Sequence, residues 1–307
     1  MRILFIASSN NKRFGIAPFT AAQCESIRRL GHQVDVFQIS GKGWKSYFNR
    51  ALLLRKKVKT VKYDVIHAHF IWSCLVAVMQ RRVPVVASFL GCDLNKKNLR
   101  FISKGIIYRL SRKCIVVNEK MLSYLPAAKT VCIPHGIDMD RFIPCDKAVA
   151  RQSLDMNPQG VYILFCSTFD RIEKNSKLAR EAVALVPGQP VLIEFFDFSD
   201  EQLPLLYSAV DLLLMTSIRE GSPMVIKEAM AANCPIVSTD VGDVRQVIGN
   251  TQLCFITGFN ANEIAEAINQ ILAKKSRTNG RERMLGLGLS LQEIAVKIER
   301  VYKEIVN

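Results

Sequence analysis

Short, almost uninterrupted apolar runs return along the whole chain, about 20 to 30 residues apart, with segments of helical period between them. In the first half they are RILFIA, QVDVFQI, DVIHAHF, VPVVASF, KCIVVN and TVCIP; in the second, VYILFCS, VLIEFF, DLLLMTS, PIVSTD and LCFI. Runs this continuous predict strands buried on both faces, because a strand with one wet face would alternate. Thr20–Leu30 and Ala261–Lys274 are examples of the intervening helices. Strand–helix alternation, twice over, predicts an α/β chain of two doubly wound parallel sheets. The segment IDMDRFIPCDKAVARQSLDMNPQG, broken by two prolines and a glycine, is expected to carry the junction, with domains of residues 1–143 and 144–289. The final stretch, 290–307, sets Leu291, Ile294, Ile298, Val301 and Ile305 at helical spacing and needs a face to cover. Ligands of such sheets bind beyond the carboxyl ends of the strands, so chemistry is expected in the loops that follow them.

The 307 residues slightly exceed what one hydrophobic core usually serves, in keeping with two domains. The net charge of +15 is unevenly placed: residues 1–145 hold 25 Lys and Arg against 7 Asp and Glu, and residues 146–307 hold 17 against 20. The first domain is therefore expected to meet something anionic. KGWKSYFNRALLLRKKVKTVK mixes Lys42, Lys45, Arg50, Arg55, Lys56, Lys57, Lys59 and Lys62 with Trp44, Tyr47, Phe48 and Leu52–Leu54, and a second basic cluster, NKKNLRFISKGIIYRLSRKC, follows. Cationic helices with aromatic and aliphatic partners suit an anionic membrane leaflet. No nucleic-acid motif accompanies the charge, so no nucleic-acid partner is expected. No run of about 18 apolar residues occurs. The apolar part of MRILFIASSN is too short for a secretory leader. Nine scattered cysteines make no C-x-x-C pair, and Cys114, Cys132, Cys166 and Cys254 fall inside strand patterns, as small core residues of a reducing compartment do. The expectation is a cytoplasmic protein, peripheral on the inner face of a membrane.

Candidate chemistry concentrates in REGSPMVIKEAMAANCPIVSTDVGD, residues 219–243. Glu220 follows the run DLLLMTS; Gly221 and Ser222 let the backbone approach a ligand, and Pro223 suits the first turn of a helix. A helix start offers unpaired N–H groups and a positive dipole end to a phosphate. Glu228 lies on that helix, and an ionised carboxylate can accept both hydroxyls of a ribose. The competing reading is a first glutamate that complements the helix dipole and a second that is merely solvated.

With Glu220 and Glu228 in the spacing E-x7-E, followed by Ala229–Met230, Pro235–Ile236 and Gly242, this stretch resembles the donor-site motif of the family 4 glycosyltransferases, which have the GT-B fold. FGIAPFT, with Gly15, resembles the glycine loop after that family's first strand, with one glycine where two are usual. YDVIHAHF resembles its D-V-x-H-x-H strand end, and IPHGIDMDRF its P-N-G-V-D segment, with His135 in place of the asparagine. The resemblance implies two Rossmann-like domains with a cleft between them, the first binding acceptor and the second the nucleotide sugar, and a terminal helix, 290–307, crossing back to the first. It also implies that Glu220 contacts the transferred sugar and Glu228 the ribose, with Gly221, Ser222, Pro223, Gly15 and Gly242 shaping the donor site.

His67 and His69 alternate along one strand and are expected to face opposite sides, His67 packed and His69, nearer the carboxyl end, open to a ligand. The resemblance implies that a histidine here reaches the sugar. In STFDRIEKNSKLA the family places an arginine and a lysine against the donor diphosphate. Lys174 matches the lysine; Arg171 stands closer to it than the family's register, and a solvated loop is its competing reading. The one D-x-D spacing, Asp138–Asp140, falls at the junction, and no second carboxylate cluster accompanies Lys174 or Glu220, so neither metal nor other cofactor is expected.

Together these readings predict a glycosyltransferase that moves a hexose from a nucleoside-diphosphate sugar to a saccharide or lipid-linked acceptor with retention, in surface polysaccharide or glycolipid synthesis. Glu220, His69 and Lys174 are the expected catalytic residues. The alternatives are a GT-B epimerase of nucleotide sugars, a basic nucleic-acid-binding protein, and an inactive partner subunit, the last suggested by the single-glycine loop.

Overall fold

The computed structural model describes residues 1–9, 15–41, 43–91, 94 and 97–306, with backbone alone at Trp44, Lys97, Asn98, Arg100 and Phe196. Phe14 of the glycine loop, Lys42, Lys96 and the side chain of Trp44 lie outside the described residues.

Each of the eleven apolar runs contains a strand. β1 (Arg2–Ser8), β2 (Gln33–Ile39), β3 (Val65–His69), β4 (Val85–Phe89), β5 (Lys113–Val116) and β6 (Thr130–Cys132) pair in the order β2-β1-β3-β4-β5-β6. β7 (Tyr162–Phe165), β8 (Val191–Glu194), β9 (Leu212–Met215), β10 (Ile236–Thr239) and β11 (Cys254–Thr257) pair in the order β11-β10-β9-β7-β8. The pairings are parallel throughout, for example Ile66 opposite Val85 and Leu164 opposite Leu213. Parallel neighbours require crossovers, and α1 (Pro18–Arg29), α2 (Trp44–Thr60) and α3 (Ile71–Val78) supply the first three. Burial on both faces explains the apolar runs: Ile3, Leu4, Phe5 and Ile6 of β1, and Leu212–Met215 of β9, are fully buried. Burying such a side chain contributes about 1.5–3 kcal/mol.

The chain divides into two units, residues 1–136 with 291–307, and residues 137–290. The division lies a few residues before the expected junction, because Ile137–Phe142 pack into the second unit. Arg281 donates to the carbonyls of Phe142 and Met139 at 2.9 and 2.8 Å, and Phe142 meets the Tyr207 ring edge-on at 5.9 Å. The last helix, Leu291–Val306, belongs to the first unit and buries Ile294, Ala295, Ile298, Val301 and Tyr302.

Each sheet reverses its strand order once. In the first unit β1 lies between β2 and β3; in the second, β7 lies between β8 and β9. Loops leaving the carboxyl ends of the two strands at such a point diverge and leave a crevice for a ligand. Those loops carry Gly15 after β1 and Lys174 after β7, while His69 ends β3 and Glu220 follows β9.

Candidate active site

In the second unit, three sets of hydrogen bonds fix the loop after β9. Thr216 Oγ1 donates to the carbonyls of Lys174 and Asn175, both at 2.9 Å, and Ile218 N donates to Glu173 O at 2.9 Å. Thr239 Oγ1, at the end of β10, donates to Ser217 O at 2.7 Å. The loop is thereby tied to the Ile172–Lys174 turn on one side and to β10 on the other. Asn175 ends that turn in the left-handed region, φ +54°, and aims the chain into the Ser176–Ala184 helix. Lys174 Nζ then meets Glu220 Oε1 at 2.7 Å, with both side chains largely buried. Two of the three expected catalytic residues, 46 positions apart, thus form one ion pair.

Behind Glu220 the backbone is crowded. Gly242 holds φ +60°, and a Cβ there would stand 2.5 Å from the carbonyl oxygen of Gly221. Gly242 therefore shapes the site by letting its turn lie against Gly221. Ser222 is committed inward: its Oγ donates to Asp243 Oδ2 at 2.6 Å and accepts from Lys227 Nζ at 2.6 Å. Lys227, wholly buried, is also 3.3 Å from Asp243 Oδ2, while Asp243 Oδ1 is buried without a hydrogen-bond partner among the described residues. Pro223 occupies the N-cap of the Met224–Ala231 helix, whose first N–H groups lie beside this loop.

Glu228 sits in the second turn of that helix, where its Oε2 accepts from the Tyr207 hydroxyl at 2.7 Å. Burial raises its carboxyl to about 7, against the lowering effects of the Tyr207 hydrogen bond and of Arg141. Tyr207 lies on the Leu203–Ala209 helix and is fully buried, and burial together with Glu228 holds its phenol well above its usual range. One carboxylate oxygen is thus shared with a phenol, leaving Oε1 as the acceptor for a ligand hydroxyl. Arg171 is not brought to Glu220: its half-exposed guanidinium holds Glu173, with Nε 2.9 Å from Oε1.

In the first unit the two histidines correct the expectation. They lie on one face of β3, ring centroids 4.3 Å apart, because side chains two apart on a strand share a side. Both contact Phe5 of β1, at 5.0 and 5.3 Å. His67 is packed as expected, with Nδ1 2.6 Å from the Tyr302 hydroxyl and Nε2 2.7 Å from Ser88 Oγ. His69 is only 1% exposed; Gln23 Oε1 of α1 accepts from its Nε2 at 2.6 Å, and its Nδ1 is buried without a partner among the described residues. Burial pushes this imidazole down to about 3, so it is neutral and carries a lone pair on Nδ1. Gly15 leads into α1 with φ +65° and nothing within 4 Å of the Cβ it lacks, so its conformation rather than its size is what the loop uses.

Tyr207, Thr216, Lys227 and Asp243 were not singled out by sequence reasoning. Tyr207 and Thr216 sit in apolar segments that read as core. Lys227 and Asp243 carried a usable signal, since a lysine amid the apolar MVIKEAMAA and an aspartate at the end of STDVGD both flank the glutamate motif.

Residues 173–284 match the family model described as glycosyl transferases group 1, and residues 15–141 match that of glycosyltransferase family 4. The chain is similar to a D-inositol 3-phosphate glycosyltransferase of Actinosynnema mirum, 24% identical over 267 residues, covering 68% of this chain and 64% of the relative. It is also similar to the putative teichuronic acid biosynthesis glycosyltransferase TuaC of Bacillus subtilis, 25% identical over 252 residues, covering 72% of this chain and 64% of the relative. The chain thus spans just under two thirds of the length of both. Among solved structures it is similar to Anabaena HepE in complex with UDP-glucose, with a TM-score of 0.80 at 17% identity, over 99% of this chain and 100% of that one. At that identity the likeness is one of fold.

Proposed function

Since this chain belongs to the family 4 glycosyltransferases of the GT-B fold, we propose that it transfers a sugar from a nucleoside-diphosphate sugar to a saccharide or lipid-linked acceptor. The reading includes retention at the anomeric carbon, no metal requirement, and a place in the synthesis of a surface polysaccharide or glycolipid. The observation that carries it is the Lys174–Glu220 pair at the strand-order reversal of the second sheet, with Glu228 in the second turn of the helix that follows. A diphosphate entering there meets the Lys174 ammonium and the start of the Met224–Ala231 helix. As the bond from anomeric carbon to phosphate oxygen breaks, charge grows on the leaving phosphate, and a cation already in place stabilises it without reorganising. Glu220, released from part of its ion pair, accepts hydroxyls of the sugar. Glu228 Oε1 accepts from the ribose. His69, buried in the first unit with burial holding its imidazole down to about 3, is neutral and is not a proton carrier at neutral pH. Retention follows when the departing phosphate takes the acceptor's proton on the face it leaves. Among the described residues no three His, Cys, Asp or Glu side chains gather as a metal site. The UDP-glucose complex of HepE supports the donor class, and the name of the Bacillus subtilis relative supports a surface polymer.

Labelled UDP-, GDP- and ADP-sugars presented with saccharide acceptors test the reading, with the product anomer assigned by NMR. An inverted anomer overturns retention, and turnover lost to chelator and restored by magnesium or manganese overturns the metal-free part. No transfer from any of these donors, in a protein that melts no higher with UDP, GDP or ADP, overturns the reading itself.

Glu228→Gln is expected to weaken nucleotide binding about ten- to hundredfold, the loss of a charged hydrogen bond of about 1.5–3 kcal/mol. The wild-type affinity rises with pH through about 7, because hydroxyl donors favour the ionised carboxylate and binding expels its proton. In the ligand-free protein the same group acts oppositely on stability. Its folded value lies above the unfolded one, so its contribution falls as pH rises from 4.5 to about 7. Calorimetry on wild type and Glu228→Gln across this window checks both; equal affinities, or a pH slope that persists in the variant, contradict the assignment.

The first unit is proposed to hold the acceptor and to rest on an anionic membrane. No helix among the described residues is long and apolar enough to cross one. On α2, Phe48, Leu52 and Leu53 are about half exposed, at 50%, 49% and 50%, beside exposed Lys45, Arg55, Lys56 and Lys59. Each such cation near an anionic surface contributes about 1 kcal/mol, screened by salt. Co-sedimentation with phosphatidylglycerol vesicles should fall in high salt, and Phe48→Asp should weaken it; equal binding to neutral vesicles sinks the idea.

A further inference from the structure

A pocket of about 620 Å³ opens at the amino ends of β4 and β5, where Arg81, Arg82, Arg109, Arg112 and Lys129 line it with one acid, Asp64. β3 and β4 are about 15 Å long, so this end of the sheet lies well away from His69 and the carboxyl-end loops. The Asp64 carboxylate is already engaged, accepting from Arg2 N at 2.7 Å. All four arginines are exposed, and none makes an ion pair among the described residues. Like charges gathered without counter-charge repel one another, and the surface potential they sum to draws a polyvalent anion.

The segments presenting these cations are held in place. Gln80, 2% exposed, accepts from Arg82 N and Val83 N at 2.8 and 2.9 Å through Oε1, and donates through Nε2 to Val83 O at 2.7 Å. That clamp keeps Arg81 at φ +64°, a left-handed conformation that side chains other than glycine's enter at a cost. Lys129 Nζ donates to the carbonyls of Arg109 and Ser111 at 3.4 and 3.3 Å and lies over the Tyr108 ring, fixing the second segment. Ser111, which also lines the pocket, is 1% exposed and its Oγ has no hydrogen-bond partner among the described residues.

We propose that this pocket binds a phosphate group carrying at least two negative charges, held by the guanidinium forks of Arg81, Arg82, Arg109 and Arg112 beside Lys129. The fork of arginine matches pairs of phosphate oxygens, and preorganised donors lose little on binding. The phosphate can belong to a soluble ligand or to the headgroup of an anionic lipid. The inference is independent of the sugar-transfer reading.

The full chain carrying Arg82→Glu with Arg112→Glu tests it, against wild type and a matched reversal, Arg29→Glu with Lys120→Glu, at about 0.15 M salt where charges beyond about 8 Å are screened. Titration with inorganic pyrophosphate and flotation with vesicles containing phosphatidic acid, whose phosphomonoester headgroup can carry two charges, are the two arms, with a single-stranded oligonucleotide titrated alongside; any binding of pyrophosphate elsewhere is common to all three proteins. A loss of about tenfold or more in the pyrophosphate arm, absent from the matched reversal, supports the site and identifies its ligand as a soluble phosphate. The same loss confined to vesicles supports it and identifies a lipid headgroup. No loss in either arm, an equal loss in the matched reversal, or a loss only toward a single-stranded oligonucleotide overturns it. Should the reversal fail to fold, Arg82→Gln with Arg112→Gln is read by the same criteria.

Discussion

Lys174→Ala should lower turnover about 10²- to 10³-fold, the usual cost of removing one preorganised group that stabilises charge in a transition state. The geometry makes the substitution doubly damaging. The ammonium is the only cation paired with Glu220 among the described residues, and Glu220 is itself largely buried. Without Lys174, the departing diphosphate loses its counter-charge and Glu220 is left as an anion beside it. The effect should fall on kcat more than on KM, since charge on the leaving group grows only as the bond breaks. Asp140→Ala is the control, because Asp140 is exposed and its D-x-D partner Asp138 serves the junction, accepting from the backbone N–H groups of Asp140 and Arg141. Steady-state transfer by the two variants decides the matter: equal rates, or a larger loss from Asp140→Ala, would remove Lys174 from the chemistry.

Lys227→Met should destabilise the second unit by about 3–5 kcal/mol, the range for breaking a buried pair from one side. Lys227 is fully buried and its Nζ joins Ser222 Oγ to Asp243. Methionine fills most of the volume but leaves the Asp243 carboxylate buried with Ser222 as its remaining hydroxyl donor. The double change Lys227→Met with Asp243→Leu should recover much of the loss, since no charge is then stranded. Urea denaturation of the three proteins checks this, and a single variant within about 1 kcal/mol of wild type would show that the triad is wet or dispensable. The consequence extends to the site, because Ser222 sits between Gly221 and the helix that carries Glu228. A loosened Ser222 should weaken nucleotide binding even in conditions where the unit stays folded.

The glutamate motif was legible because it is local. Some 25 consecutive residues hold a strand end, a loop, a helix start and a glycine turn, and each follows from nearby sequence. Arg171 was not legible in the same way. Its partner, Glu173, is two residues away, and a pairing so close competes with any ligand for the guanidinium. The two histidines show a different failure. A period of two puts positions 67 and 69 on one face, and the structure sets both rings against Phe5. What periodicity leaves open is that both are buried: Tyr302, 235 residues on, engages His67, and Gln23 engages His69.

By itself the sequence determined that strands and helices would alternate twice over in parallel sheets, and which loops carry Lys174 and Glu220. Continuous apolar runs separated by helical segments admit little else, because the inner strands bury both sides and every crossover must return to the same end of the sheet. Only the tertiary structure decided which loops meet. The order β11-β10-β9-β7-β8 sets Lys174 against Glu220, and the packing of the Leu203–Ala209 helix brings Tyr207 onto Glu228 and raises its carboxyl to about 7. The cations of the Arg81–Arg112 pocket come from separate segments that no local pattern joins. Charge and hydrophobic period are properties of the chain read in order, whereas a pairing or a shifted proton affinity depends on what is buried beside a group, and burial is set by the assembled fold.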